Sequence, residues 1–298
     1  MSIPLVTAIV PVYKSSLYIE AFLKQLTSQT IFKEIEVILD LNEPSSFELK
    51  TVKKYLVKYP DQIKIITSNP RISIAASMNK CMKNSKGRFI AIWNIDDLRT
   101  PDSLELQSSF LLKNKTFVAV SGAYKVVKIF KSKQGVLVLK KNISNDSLLK
   151  EMHLGPFFMF RKEILHKVGF FDEQFEIAAD FDFAIRVARY GKVYFLQQLL
   201  GYYLDSGVGA STSPGIKQPI ERTVIQMRYG AYLDIDHKFA SLTGNYIVSQ
   251  IKLGRSLIPI AKFFKDYDSY IEKQMKTYLD RKFRNIKSRI FLFLNFKK

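Results

Sequence analysis

Cysteine is almost missing from this chain: Cys81 is the only one in 298 residues. That excludes an intrachain disulfide framework and any cysteine-based zinc site, and it is compatible with a reducing compartment. Long apolar runs are missing too. No stretch reaches the roughly 18 residues a membrane-spanning helix needs, and residues 1–13 have none of the basic start, long apolar run and small-residue cleavage site of a signal peptide. Acidic residues are scarce: 27 Asp and Glu stand against 46 Lys and Arg, a formal net charge of +19. An anionic partner is expected, and nucleic acid, anionic lipid headgroups and phosphorylated small molecules all qualify. What the chain has in quantity is apolar and aromatic residues, 47% and 13%. That supports a sizeable core, excludes a disordered chain, and fits one large α/β domain or a domain with an appendage.

Periodicity along the first hundred residues alternates between strand and helix. Val6 to Tyr13 is a β-branched apolar run of the kind buried on both faces of a sheet. Pro11 should end it, because proline removes a ladder hydrogen bond. A helix is expected from Ser16 to Thr30, capped by Ser15 or Ser16, then a second strand from Glu34 to Leu41 and a helix from Phe47 to Tyr59. Ile63–Thr67 reads as a third strand. A helix from Ile74 to Lys83 should close at Gly87 in a left-handed turn. This βα order predicts right-handed crossovers and a parallel sheet. Further on, Phe117–Gly122 is strand-like, residues 124–141 suggest a hairpin around Lys131–Gly135, and Val193–Leu196 is a strand with Gly201 opening a loop.

Two acidic clusters stand out. The apolar run from Phe89 ends in Asn94-Ile95-Asp96-Asp97, which places carboxylates at a strand's C-terminal tip, where open α/β sheets bind ligands. Such a pair invites a divalent cation and, through it, a phosphate; the alternative is a cap on the helix near Pro101. Asp180 stands where a loop becomes helix, as an N-cap or as a working carboxylate. From Glu221 the pattern turns to long helices. Residues 271–294 combine apolar bulk with a basic face, suited either to a membrane interface or to packing on the domain.

Five of these segments, in order, resemble an inverting family 2 glycosyltransferase of the GT-A fold. They are Ile9–Tyr13, Ile74–Asn79 with Lys86–Ile90, Asn94–Asp97, Gly169–Asp172 and Ala179–Asp182, and the likeness covers roughly residues 5–210. The resemblance implies an α/β, Rossmann-like three-layer sandwich with a mixed, mostly parallel sheet in residues 1–215. A basic, amphipathic helical extension would occupy residues 216–298. It implies transfer of a sugar from a nucleotide-diphosphate donor to a glycan or lipid-linked acceptor in surface polysaccharide biosynthesis. Asp180 would be the catalytic base, and Asp96 with Asp97 would hold Mn²⁺ or Mg²⁺. Donor contacts are implied for Pro11, Tyr13, Asp40, Asn42, Arg71, Asn79, Asn94, Ile95 and Asp96, with Asp40 and Asn42 both candidates for the base or ribose contact.

Acceptor contacts are implied for His153, Phe157 and Phe158, although a surface role suits His153 and core packing suits at least one of the phenylalanines. The chain departs from the family pattern at Asn94, where an acidic residue is usual, and at Ala179. With one charge fewer, metal dependence should be weak or optional. Competing readings are a non-catalytic relative and a basic nucleic-acid-binding protein. The second accounts for the charge, yet carboxylates at a strand tip repel phosphates unless metal is bound, so no nucleic-acid partner is expected. The expected location is cytoplasmic, peripheral on the inner membrane face through the C-terminal helix.

Overall fold

The computed structural model describes residues 3–140 and 154–207, with short further stretches at 218, 221–222, 225–226, 229, 246–247, 250–253 and 256–259. The chain divides into two compact units, Met1–Pro214 and Gly215–Lys298.

The first unit is a nine-stranded mixed sheet. Its elements are β1 (Val6–Val12), α1 (Ile19–Thr27), β2 (Ile35–Asn42), α2 (Ser46–Lys58), β3 (Ile63–Ser68), α3 (Ile74–Asn84), β4 (Phe89–Ile92) and β5 (Leu98–Arg99). They continue with α4 (Ser103–Lys113), β6 (Phe117–Val127), β7 (Val136–Val138), β8 (Met159–Arg161), α5 (Leu165–Val168), α6 (Ala179–Tyr190) and β9 (Lys192–Leu204). The strand order is β3-β2-β1-β4-β8-β6-β9-β5, with β7 paired to β6. The β3-β2-β1-β4 block is parallel, as βα connections require. Beyond it β8 runs antiparallel to both β4 and β6.

Every residue of β2 is buried, because helices cover both faces of the parallel block. Val6, Ala8 and Val10 of β1 pack with Phe22, Leu23 and Leu26 of α1 and Leu104 of α4. The alternate residue Ile9 is buried on the opposite face, where α3 lies against β1 and β2.

Several local expectations shift. Pro11 stays inside β1, in register with Asp40. The Trp93 N–H donates to the Ile9 carbonyl at 3.2 Å, and β4 ends at Ile92. Pro11, two residues past Ile9, therefore faces the same side beyond the neighbouring strand, where no donor is required. Helix α1 begins at Ile19, three residues later than expected, because the Ser15 carbonyl accepts from Tyr18 and Ile19 N–H; Leu17 is left exposed. Strand β9 continues through Gly201 to Leu204 instead of opening a loop. A Cβ on Gly201 would meet the Leu98 carbonyl at 2.3 Å, so glycine permits the β5 contact.

Gly87 is the instructive case. Helix α3 ends at Asn84 with an extended Ser85, and Gly87 is not among the left-handed glycines. It is needed for close approach: its N–H donates to Thr7 Oγ1 at 2.8 Å, and an added Cβ would lie 2.5 Å from the Thr7 backbone nitrogen. Gly87→Ala should therefore cost about 1–3 kcal/mol, read as a lower denaturant midpoint with an unchanged slope.

In the second unit, where a basic, amphipathic helical extension is expected, residues 221–222 and 225–226 are helical, and short strands occur as well. Three antiparallel strands, β10 (Tyr246–Ile247), β11 (Gln250–Leu253) and β12 (Ser256–Pro259), form a small sheet. Runs of two to four residues are too short for periodicity to separate strand from helix. The basic amphipathic segment 271–294 lies outside the described residues.

Candidate active site

A cavity of about 510 Å³ opens at the C-terminal ends of β1, β2 and β4, the position at which open α/β sheets bind ligands. Its wall combines Pro11 and Tyr13 after β1, Asn42 at the end of β2, Asn94, Ile95 and Asp96 after β4, and Asp180 at the start of α6. The first turn of α3 also faces it through Ser73, Ile74 and Ala75. Ser73 caps that helix, its Oγ accepting the Ala76 N–H at 3.1 Å. The free N–H groups and positive dipole end of such a helix favour an anion. Arg71 stacks on Tyr13, its guanidinium carbon 3.9 Å from the ring centroid. The cavity is thus bordered by a cation, an aromatic face and a helix N-terminus on the β1–α3 side.

The two adjacent carboxylates part company. After Ile92 the chain tightens into a turn, Asp97 N–H donating to the Asn94 carbonyl at 3.2 Å, and the Trp93 indole N–H donates to the Asp97 carbonyl at 3.0 Å. Asp96 is thereby set on the cavity wall, half-buried. Asp97 is sealed beneath it, 1% exposed, with Oδ1 accepting the Leu204 N–H at 3.0 Å and Oδ2 accepting Asn94 Nδ2 at 3.1 Å. Neither caps a helix, since α4 starts only at Ser103 with Asp102 before it. Because Asn94 spends its amide N–H on Asp97, its carbonyl oxygen is the acceptor left for the cavity side.

Burial pushes the Asp96 carboxyl up from its ordinary value. Burial, and then the neighbouring Asp96 charge, push Asp97 well above the carboxylate range. A carboxyl raised on folding binds its proton more tightly in the native state. Its contribution to stability is complete below about pH 4, the unfolded value, and is lost as pH rises through the raised native value. Urea titrations in chelator should therefore show stability falling from about pH 4 towards neutrality, and Asp97→Asn should flatten that slope.

Sequence inspection did not single out Arg99, which lies fully buried under this turn. It donates from Nη2 to the Ile92 carbonyl at 2.8 Å and from Nη1 to Gln107 Oε1 at 2.8 Å and Ser103 Oγ at 3.1 Å. Trp93 and Phe157 rings flank it, at 5.2 and 5.1 Å. Burial pulls its guanidinium down to about 9, opposed by the Asp97 charge. Gln107 continues the network to the Phe157 and Val120 carbonyls, at 2.8 and 3.2 Å. The available signal was a polar Gln107 four residues after Ser103, on the helix face that also carries Leu104 and Leu111.

Asp180 is exposed on the cavity wall in the first turn of α6. It is not the N-cap, a position taken by Ala178, and its Oδ1 accepts the N–H of the next residue, Phe181, at 2.8 Å. Asp182 is buried instead, bonded to Arg186 at 2.7 Å. Arg186 in turn donates to the Val168 and Phe170 carbonyls, so the loop around Gly169 is pinned to α6.

Four residues expected to make contacts do not line the cavity. Asp40 is fully buried, accepting from Ser68 Oγ at 2.9 Å and from Asn42 Nδ2 at 3.2 Å, with Lys80 Nζ at 3.6 Å; Asn42 is the member of that pair on the wall. Asn79 does not line the cavity: its amide donates to the Phe171 carbonyl at 2.9 Å and Glu173 Oε1 at 2.8 Å and accepts the Phe171 N–H at 2.9 Å. It clamps α3 to the loop before α6. Phe157, in the bend before β8, is core, packed against Arg99 and Tyr124 and close to Gly201 of β9. Asp97 is off the wall for the reason given above. Phe158 does reach the wall, though 1% exposed and packed on Phe160 and Phe183. His153 lies outside the described residues.

Comparison with known proteins bears on the fold and the family. Among solved structures, residues 1–349 of S. aureus TarS in complex with UDP-GlcNAc superimpose with a TM-score of 0.62 at 18% identity, covering 80% of this chain and 69% of that one. The mannosyltransferase PcManGT of Pyrobaculum calidifontis, in complex with GDP-Man and Mn²⁺, gives 0.56 at 16% identity, covering 94% and 75%. The fold is GT-A, a Rossmann-like α/β architecture. In sequence, a glycosyltransferase of Rickettsia bellii is 27% identical over 272 residues, 83% of this chain but 37% of that protein. Chondroitin synthase of Pasteurella multocida is 27% identical over 201 residues, 66% of this chain and 20% of the synthase. The chain thus spans well under two thirds of the length of these relatives. The profile described as glycosyl transferase family 2 matches residues 7–169, more than half of the chain; the protein belongs to glycosyl transferase family 2.

Proposed function

We propose that this glycosyltransferase moves a sugar from a nucleotide-diphosphate donor to a glycan or lipid-linked glycan acceptor, inverting the anomeric centre, in the synthesis of a surface polysaccharide. The observation that carries the reading is the joint presence of Asp96, Asp180 and the α3 N-terminus on one cavity wall. Diphosphate chemistry needs a stabiliser for the charge that develops on the leaving group, and the α3 N–H groups with Asn94 and Asp96 supply the polar side of such a site. Acceptor chemistry needs a base, and Asp180 is exposed to the same space. The acceptor oxygen would bond to the anomeric carbon as the bond to the diphosphate breaks, with the hydroxyl proton passing to Asp180. Attack from the face opposite the diphosphate inverts the centre.

The donor set fits Mn²⁺ or Mg²⁺, which favour oxygen ligands. Asp96 and the Asn94 amide oxygen would hold the ion, with Asp97 positioning Asn94 from below. Such an ion, when bound, neutralises charge on the diphosphate. Among the described residues no cluster of three or more His, Cys, Asp or Glu side chains is gathered, so substrate oxygens and water would complete the shell. The reading of weak or optional metal dependence rests on Asn94, whose neutral amide stands where a charge is usual. Support for the donor class comes from the relatives crystallised with UDP-GlcNAc and with GDP-Man, and for a polysaccharide product from the likeness to chondroitin synthase. Among the described residues no helix is long and apolar enough to cross a membrane. The proposed location is the cytoplasmic membrane face, reached through the basic segment 271–294.

The test is nucleoside diphosphate release from UDP-, GDP- and dTDP-sugars, with and without Mn²⁺, across a panel of oligosaccharide and lipid-linked acceptors. One donor class should give acceptor-dependent release and a product of inverted configuration by NMR. A product retaining the donor's anomeric configuration would overturn the mechanism.

A further inference from the structure

Away from the cavity, the β6–β7 hairpin carries an unusual surface. Between residues 124 and 140 there are five lysines, Lys125, Lys128, Lys131, Lys133 and Lys140, and no Asp or Glu. In the same hairpin Ile129 and Val136 are each 73% exposed, with Leu137 at 49% and Leu139 at 54%. Four large aliphatic side chains standing in solvent within eleven residues are not accounted for by folding, and such patches mark interaction sites. The hairpin is also fixed in place. In its connecting loop Phe130 stands edge-on to Tyr18, with ring centroids 4.8 Å apart, and Lys128, the first residue after β6, is bonded to Asp205 at 2.6 Å. Tyr18, Tyr203 and Leu204 all line the cavity, so whatever the hairpin touches lies beside the cavity mouth.

We propose that the β6–β7 hairpin docks on an anionic phospholipid bilayer, its aliphatic side chains entering the headgroup boundary and its lysines meeting lipid phosphates. The pairing of charge with apolar bulk selects this occupant. A nucleic acid would use the lysines and leave the aliphatic residues in water, and a second copy of the chain would set five lysines against five. A bilayer surface satisfies both kinds of side chain at once. Docking there would bring the cavity mouth to the membrane, where an acceptor with a lipid tail would be presented. The inference requires neither the transfer reaction nor the C-terminal segment.

The test uses the full chain with Ile129→Cys carrying an environment-sensitive dye. Cys81 is fully buried and its thiol is pushed up to about 12 by burial, so the unsubstituted protein serves as the unlabelled control. Vesicles of phosphatidylcholine with phosphatidylglycerol should shift the emission to the blue, and phosphatidylcholine alone should not. The double variants Lys131→Glu/Lys133→Glu and Val136→Ser/Leu137→Ser should each bind the anionic vesicles at least about tenfold more weakly. Their unfolding midpoints, and their nucleoside diphosphate release with a soluble acceptor, should be unchanged. Unshifted emission while the protein sediments with the vesicles would overturn the proposal, as would vesicle affinity unaltered in both variants. An equal dye response to heparin would reassign the surface to a soluble polyanion.

Discussion

Asp180→Asn should lower sugar transfer by about 10²–10⁴-fold, the range for losing a general base, with donor affinity and fold preserved. The amide keeps an acceptor for the Phe181 N–H that Asp180 Oδ1 now receives at 2.8 Å, and the position is exposed, so no core contact is lost. Removing one negative charge from the first turn of α6 costs no more than about 0.3–1 kcal/mol. The expected signature is a fall in kcat with donor binding by calorimetry within about twofold of the parent, a difference of about 0.4 kcal/mol. Transfer within a few-fold of the parent would remove Asp180 from the reaction. Asp182, two residues on, is the informative neighbour. Its carboxylate is buried on Arg186, so its substitution should lower stability and activity together.

The largest effect on stability is expected at Arg99. Arg99→Ala strips donors from the Ile92 carbonyl, Gln107 Oε1 and Ser103 Oγ and opens a void between Trp93 and Phe157. Unpaired buried acceptors cost about 1–3 kcal/mol each, and the void adds to that. Relief of burying a charge offsets part of it. A net loss of about 3–5 kcal/mol is expected, seen as a melting temperature lower by roughly 10 °C. Arg99→Met keeps the bulk and should lose about half as much. In both variants Asp97 loses the opposing Arg99 charge and the Ile92 carbonyl its donor, so the turn that presents Asp96 should also loosen. Cation-dependent donor binding should weaken even below the melting range.

The parallel half of the sheet was legible in the sequence because its strands are buried on both faces and therefore read as largely apolar runs, as Val6–Val12 does and as Val37–Leu39 does within β2. The acidic strand tip was legible for the same reason: charge directly after such a run has few structural explanations. What could not be read was which carboxylate faces the cavity. Asp96 and Asp97 are neighbours, and only the hydrogen bonds of a tight turn, closed locally by Trp93 and from a distant part of the chain by Leu204, send one up and one down. Asp40 and Asn42 pose the same difficulty. They are two apart on one strand and so share a face, yet Ser68 and Lys80 cover the first and leave the second on the wall. Asn79 was placed in the donor site by its motif position, whereas its amide is fully used on Phe171 and Glu173. The motif there supports the loop leading to Asp180. Gly87 reads as a helix stop in sequence because a close backbone approach to β1 is a tertiary fact.

Of the polar residues expected at the site, Tyr13, Asn42, Arg71, Asn94, Asp96 and Asp180 line the wall, beside Ser73 and Glu176, with Asp97 and Arg99 beneath. The most direct measurement of the account is calorimetric titration of UDP- and GDP-sugars into the protein and into Asp96→Asn, each with Mn²⁺ and with chelator. The parent should bind one donor class, more tightly with Mn²⁺. Asp96→Asn should lose that cation-dependent increment while keeping its melting temperature in chelator within a few degrees of the parent, a change of about 1 kcal/mol. Donor binding that responds to Mn²⁺ identically in the two proteins would contradict the central claim that Asp96 is the carboxylate of the diphosphate site.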